Sequence, residues 1–243
     1  MNKKLMIIIL LITQLPLAAQ ISNKFTLIVH LFNEKNAARC EEYIECLKIN
    51  LAHPLIDKIH VVYEYSNEEQ EQKSIILNFL KTVDIPISYM PSHTSFNACL
   101  SIANELYPNK ATIIANGDIY FDETLNILEN YDLEDKFLAP TRWDILPDGT
   151  RQIYHFKTGQ INFLSQDCWM FKSPFPMPRK TILLGKMRCE NIIMGHAFDM
   201  KYEVQNPSLT IKCWHLHKVQ IRHYTEAPPM PKNLRWVRHA ELK

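Results

Sequence analysis

The sequence predicts an α/β domain with a mostly parallel central sheet flanked by helices, followed by a mixed C-terminal half. Three observations predict it. Short continuous apolar runs such as FTLIVHLF (Phe25 to Phe32) have the length and residue types of strands buried on both faces. Segments with apolar residues at helical spacing separate those runs. The turns between them are polar, and the alternation places helices on both sides of one sheet. At 243 residues the chain suits one such domain and is short for two.

The elements follow in order. FTLIVHLF is the first strand, and the polar turn NEKNAAR closes it. Cys40, Ile44, Leu47 and Leu51 then share one face of a helix. DKIHVVYEY is the second strand, and NEEQEQKSIILNFLKTV a helix with Ile75, Ile76, Phe79 and Leu80 inward. IPISYM is a short third strand. SFNACLSIANEL makes a helix with Phe96, Leu100, Ala103 and Leu106 on one side, and Ser95 is placed to cap its first turn. ATIIA is the fourth strand. The second half is mixed: KFLAPTRWDI reads as one strand, and LPDGTRQIYHF contains Asp148-Gly149, a pair that favours tight hairpins. DCWMFK is a further strand, CENIIMGHAF a short helix, and LTIKCWHLH a strand ending in two histidines.

Composition narrows the function. With 47% apolar and 22% charged residues the chain is globular, and a net charge of +1 argues against a nucleic-acid-binding surface. The tail KNLRWVRHAELK is basic around Trp236, either a solvated tail or a membrane-surface or phosphate contact. Residues 1–20 pair Lys3 and Lys4 with an apolar run and the small-residue ending Leu17-Ala18-Ala19. That order predicts a signal peptide cleaved near Ala19 or Gln20, or a retained anchor giving membrane association, ahead of a domain at 21–243. The protein is then exported or membrane-associated, with periplasm and endomembrane lumen both open. An exported chain permits disulfides. The six cysteines show no paired spacing, however, and Cys40, Cys99 and Cys213 sit in apolar patterns, as small buried hydrophobes do.

Polar groups collect at the strand ends. The first strand exits into Asn33-Glu34, the second into Glu64, the fourth into Asn116-Gly117-Asp118 and the fifth into Thr141-Arg142-Trp143-Asp144. In a parallel sheet these exits share one edge, where open α/β folds bind ligands. No glycine-rich phosphate loop and no G-x-S-x-G elbow is present, which argues against dinucleotide dehydrogenases, P-loop enzymes and ordinary α/β-hydrolases. Asn-Gly-Asp is either turn chemistry or a pair of oxygen donors suited to a hard cation such as Mg²⁺ or Mn²⁺.

ANGDIYFDETL, an acid closing a strand inside such a sheet, resembles the D-x-D region of GT-A-fold glycosyltransferases, within the nucleotide-diphospho-sugar transferase superfamily. The resemblance spans most of residues 24 to 217 and implies a single GT-A-like (Rossmann-like) domain. It implies a cofactor, Mn²⁺ or Mg²⁺, bridging the donor diphosphate on Asp118 and Asn116, where Asn116 stands in place of the family's first acid. VHLFNE resembles the family's first nucleotide-contacting loop and implicates Phe32, Asn33 and Glu34, with Glu64 at the base or ribose. Gly117 lets donor and backbone approach, and Arg142, Arg222 and Tyr224 are placed for the leaving diphosphate. SQDCWMF resembles the segment between donor and acceptor sites: Asp167 meets sugar hydroxyls or acts as base. Trp169 stacks on a sugar or is a core aromatic, and Trp143 is its companion on the acceptor side. Glu190 opens a helix either as the acceptor-activating base or as a dipole-favoured residue. His215 and His217 alternate on one strand; each completes the metal sphere or is structural.

The function this resemblance implies is transfer of a hexosyl or N-acetylhexosaminyl group from a nucleotide-diphosphate sugar to a hydroxyl of a glycan, lipid or protein. Two other readings remain at this stage. A nucleotidyltransferase would also use acidic metal ligands, although the loop Asn33-Glu34-Lys35-Asn36 lacks its usual glycines. A non-catalytic carbohydrate- or partner-binding protein on the same fold is the other.

Overall fold

The computed structural model describes residues 22–65, 67, 72–154, 165–216, 219 and 235–243. In chain order the elements are β1 Phe25–Phe32, α1 Ala37–Leu51, β2 Ile56–Glu64, α2 Ile75–Leu80, β3 Ile87–Met90, α3 Phe96–Leu106, β4 Ala111–Asn116 and β5 Ile119–Phe121. A 3-10 helix Glu123–Leu128 follows, then β6 Lys136–Leu138, β7 Trp143–Ile145, β8 Arg151–Ile153, β9 Cys168–Lys172, α4 Cys189–Asp199, β10 Glu203–Gln205 and β11 Cys213–Leu216. The expected signal or anchor segment lies outside the described residues.

A seven-stranded sheet has the order β10-β6-β9-β4-β1-β2-β3. Strands β1 to β4 are parallel neighbours, and β9 runs antiparallel between β4 and β6. β1 lies inside the sheet, between β4 and β2, and every one of its first seven residues is buried. Its alternation splits the core in two. Leu27, Val29 and Leu31 pack with Cys40, Tyr43 and Leu47 of α1 and with Ile76, Leu77 and Leu80 of α2. Ile28, with Val62 of β2, packs on the other face with Phe96, Leu100 and Ala103 of α3 and with Ile193, Met194 and Ala197 of α4.

Helix starts follow the expected chemistry. The Asn36 side chain accepts from the Arg39 N–H, Ser74 from Leu77 and Ser95 from Ala98, each closing an otherwise unpaired backbone donor. The faces are rotated from expectation. Leu51, Ile75 and Leu106 are exposed, and the buried face of α1 runs through Arg39, Cys40, Glu42, Tyr43, Cys46, Leu47 and Asn50. Polar residues occupy that stripe because each finds a buried partner; Asn50, for example, donates to the Ile119 carbonyl and accepts from the Phe121 N–H.

A second, four-stranded sheet has the order β5-β11-β7-β8. KFLAPTRWDI is therefore two strands, β6 in the large sheet and β7 in the small one. Pro140 stands between them, where a missing N–H breaks ladder pairing. β7 and β8 form the expected hairpin: the Leu146 N–H donates to the Thr150 carbonyl over 2.9 Å, and Gly149 takes φ 83°. The β11 strand begins only at Cys213, because the Thr210 and Ile211 N–H groups turn back on the Pro207 carbonyl.

All six cysteines are free and buried, as small core hydrophobes. The described end of the basic tail is tied down through its backbone while Arg235, Trp236 and Arg238 stay exposed: Asn206 exchanges bonds with Val237 and Ala240, and the Leu242 N–H donates to Thr210. Among the described residues no helix is long and apolar enough to cross a membrane.

Candidate active site

β1, β2, β4 and β6 run the same way, so their carboxyl ends share one edge, and the small sheet sits against it. β4 crosses from one sheet to the other through Gly117-Asp118. Gly117 is required by space: a Cβ there would lie 2.5 Å from the Leu31 Cδ2 atom and 3.1 Å from the His30 carbonyl oxygen. Beyond it Asp118 turns its side chain inward, with 7% of its surface exposed.

Asp118 belongs to an unbroken chain of charge. The Arg39 guanidinium, from the first turn of α1, bridges Glu42 and Asp118 Oδ2. Asp118 Oδ2 also meets His215 Nε2 at 3.0 Å, and His215 Nδ1 meets Asp144 Oδ1 at 2.9 Å. Arg142 Nε lies 3.0 Å from Asp144 Oδ1, a charge contact without hydrogen-bond alignment, while its Nη1 donates to Asp167 Oδ2 at 2.9 Å. Asn116 Nδ2 donates to Asp167 Oδ1 at 2.7 Å and ends the chain. Strand pairing builds this geometry, because β11 sets His215 opposite Asp144 of β7.

The partners set the protonation states. Burial opposes ionisation of Asp118, but His215, Arg39 and Arg142 outweigh it and hold its carboxyl well below the usual carboxylate range. Burial and Arg142 pull the His215 pKa down, yet Asp118 and Asp144 win and raise it. Each ring nitrogen faces a carboxylate oxygen, an acceptor only, so the imidazole satisfies both as a cation with two N–H donors.

Burial grades along the chain. Arg39, Glu42, Asp118, Asp144 and His215 are buried, whereas Asn116, Arg142, Asp167 and Glu190 are half-buried and form the rim. Glu190 lies in the first turn of α4. Burial, reinforced by the charge of Asp167, pushes its carboxyl up to about 7. Asp167 differs from it in having both oxygens committed, one to Asn116 and one to Arg142.

A second cluster adjoins on the β1–β2 side, where His30 is paired in register with Asn116. Glu64 Oε1 accepts from His30 Nε2 at 2.7 Å, His93 Nδ1 at 2.9 Å and the Thr94 N–H at 2.9 Å. These bonds outweigh burial and hold Glu64 well below its ordinary range. His93 is raised, first by its bond to Glu64; its Nε2 donates to the Leu184 carbonyl at 2.7 Å.

The expected site residues divide accordingly. Asn116, Asp118, Arg142, Asp167 and His215 form one network, with Glu190 coupled to it through Asp167. Glu34 is buried in the turn after β1, where its Oε1 accepts the Asn36 N–H at 2.8 Å and shapes the start of α1. Asn33 is half-buried beside it, and Phe32 packs edge-on against Tyr43 at 6.0 Å. Trp169 is a correction. It is 1% exposed and edge-on to Phe96 at 4.6 Å, so it is a core aromatic with no face for a sugar. Trp143 is another: alternation on β7 points it away from Asp144, and it packs on Trp214 while its Nε1 donates to the Ser208 carbonyl at 2.8 Å. His217, Arg222 and Tyr224 lie outside the described residues. Sequence reasoning missed Arg39, Glu42, His30 and His93. The one available signal was Arg39-x-x-Glu42, an i,i+3 ion pair just after a helix cap.

The described residues do not fit a divalent cation. Asp118 Oδ1 is buried without a hydrogen-bond partner, as a ligand oxygen would be, but it is alone. Asp118 Oδ2 is held by two cations, His215 has no nitrogen left to ligate, and Asn116, whose Nδ2 is turned to Asp167, offers only a neutral amide oxygen. Among the described residues no group of three or more His, Cys, Asp or Glu side chains is arranged to hold a metal.

No protein-family model matches the chain, and comparison with curated proteins finds no relative. Solved structures do share its fold. A mannosyltransferase from Pyrobaculum calidifontis in complex with GDP-Man and Mn²⁺ is 15% identical, with a TM-score of 0.50 over 84% of this chain and 59% of that one. GalNAc-T7 with UDP, GalNAc and Mn²⁺ is 8% identical, with a TM-score of 0.54 over 82% of this chain and 45% of that one. The chain thus spans about half the length of the structures it matches, and its fold is the GT-A type.

Proposed function

We propose that the protein is a glycosyltransferase that moves a sugar from a nucleotide-diphosphate donor to an acceptor hydroxyl, with Glu190 as the base. The observation that carries this reading is the contrast between two neighbouring carboxylates. Asp167 is locked by Asn116 and Arg142. Glu190 sits beside it with a pKa of about 7, so near neutral pH it is divided between its charged and neutral forms. A general base works best in that range. The GT-A fold supports the choice of substrate class, and the nucleotides and Mn²⁺ bound in the two similar structures are properties of those proteins.

In this reading the acceptor hydroxyl approaches Glu190 at the rim. Its proton passes to the Glu190 carboxylate as its oxygen attacks the anomeric carbon, and the bond to the diphosphate breaks with its electron pair leaving on phosphate oxygen. Asp167, held by Asn116 and Arg142, positions the sugar. Glu64, already fixed by two histidines, marks the nucleoside end. Mn²⁺ or Mg²⁺ was the expected cofactor. Since the described residues do not fit such an ion, no step is routed through one.

The test is release of nucleotide diphosphate from a panel of UDP- and GDP-sugars, with and without simple glycoside acceptors. Wild-type protein is expected to turn over one donor. Glu190→Gln should bind it equally and lose about 10²- to 10⁴-fold in kcat, the usual span for a general base. No turnover of any donor, or full activity in Glu190→Gln, would sink the proposal.

A further inference from the structure

We infer that Arg39 is the site's resident cation: its guanidinium occupies Oδ2, one of the two oxygens through which Asp118 would hold a divalent ion, and nucleotide-diphosphate binding here is independent of metal. The inference deepens the transferase reading and rests on it for the identity of the ligand, a nucleoside diphosphate.

The argument is one of places already taken. Arg39 reaches Asp118 Oδ2 from the first turn of α1, and its other terminal nitrogen is anchored by Glu42. Glu42 is fully buried and is itself fixed by the Val219 N–H at 2.7 Å. The guanidinium is therefore clamped between two carboxylates, with Tyr43 beneath it, 5.0 Å from ring centre to Cζ. His215, placed between Asp118 and Asp144, needs a proton on both nitrogens and so has no lone pair for a metal. An ion bound through both Asp118 oxygens would have to displace Arg39 and strand Glu42 with a buried, uncompensated charge, and one that took His215 as a ligand would have to deprotonate it.

Most of the carboxylate charge is already met. Arg39, Arg142 and His215 face Glu42, Asp118, Asp144 and Asp167, so three cations stand against four carboxylates before any ion is added. Of these cations Arg142 is the one at the rim, where it can meet a diphosphate. Arg39 Nε adds a buried N–H without a partner of its own.

Two measurements on the full wild-type chain decide it. Mn²⁺ titration followed by electron paramagnetic resonance should show no saturable site, and His215 imidazole resonances should not broaden as Mn²⁺ is added. UDP and GDP titrated by calorimetry should bind with affinities that agree within about threefold in EDTA and in Mn²⁺, well under the tenfold step that marks 1.4 kcal/mol. A saturable Mn²⁺ site that broadens His215, or nucleotide binding that appears only with Mn²⁺, overturns the inference and leaves the transferase reading intact. If neither nucleotide binds under any condition, the donor reading fails, while the Mn²⁺ titration still decides the role of Arg39. In a variant, Arg39→Met should open Asp118 and gain a Mn²⁺ signal, whereas Arg39→Lys, which keeps the cation, should not.

Discussion

Replacing Glu190 by Gln should stabilise the protein, and only above mildly acidic pH. The Glu190 carboxyl is raised from an ordinary 4.5 to about 7, chiefly by burial and then by the charge of Asp167. A carboxyl that holds its proton more tightly in the folded state adds stability while it is protonated. That contribution is complete below 4.5 and fades as pH climbs through 7. Each unit of difference between the two pKa values is worth about 1.36 kcal/mol, so the folded protein loses about 3 kcal/mol over this window. The glutamine amide is a permanently neutral shape-match for the protonated carboxyl and would lose nothing. The two proteins should therefore be equally stable near pH 4, and the variant about 3 kcal/mol more stable at pH 8. For a chain of this length that is roughly 6–12 °C in Tm. Urea unfolding of both proteins from pH 4 to 8 measures it, and using the difference between them cancels the titration of His215 and His93. A difference that stays flat across the window, or a variant less stable at pH 8, would refute the argument that Glu190 is an ionisable group held in an unfavourable place. The same pKa should shape catalysis, with kcat/KM rising through pH 7 as the base ionises.

Other perturbations act on the interior of the network. Asp118→Asn leaves Arg39 and His215 buried against a neutral amide and should cost about 3–5 kcal/mol in urea unfolding, the range for breaking one side of a buried ion pair. A cost below about 1 kcal/mol would mean Asp118 is effectively solvated. Gly117→Ala puts a methyl against Leu31 and the His30 carbonyl and should cost about 1–3 kcal/mol by overpacking. Because the His30 contact is backbone, a neutral result would show that the β4–β5 crossing shifts freely. Glu64→Gln removes the carboxylate whose bond does most to raise the His93 pKa, so the His93 titration followed by NMR should move down towards 6.5; an unmoved titration would assign the shift to the Leu184 carbonyl instead.

Much of the sheet was legible in the sequence because its strands are buried on both sides. FTLIVHLF needs no partner to declare itself, and the four strand exits do share one edge. The helix faces were less legible for a specific reason. Hydrophobic periodicity counts apolar residues, but the inward stripe of α1 holds Arg39, Glu42 and Asn50, whose burial depends on partners as far along the chain as Asp118, Ile119 and Val219. Leu51 and Leu106 then fall outside the packed face despite their chemistry. The division of KFLAPTRWDI between two sheets was hidden in the same way, since only pairing with β10 and β11 separates its two halves.

The candidate site shows the limit more sharply. Asp118, Asp167 and Glu190 are carboxylates at element ends, and by residue type they are equivalent. Their surroundings make them different. Asp118 has Arg39 and His215 against it and is held ionised inside the protein. Asp167 has one donor on each oxygen, Asn116 and Arg142, and is fixed in place. Glu190 is buried near a like charge, so its proton is the one that can move near neutral pH. Asn-Gly-Asp thus marks where the chain crosses between two sheets and where the charge network is anchored. The reactive carboxylate, Glu190, lies some seventy positions further along and is set by what crowds it, its burial and the charge of Asp167.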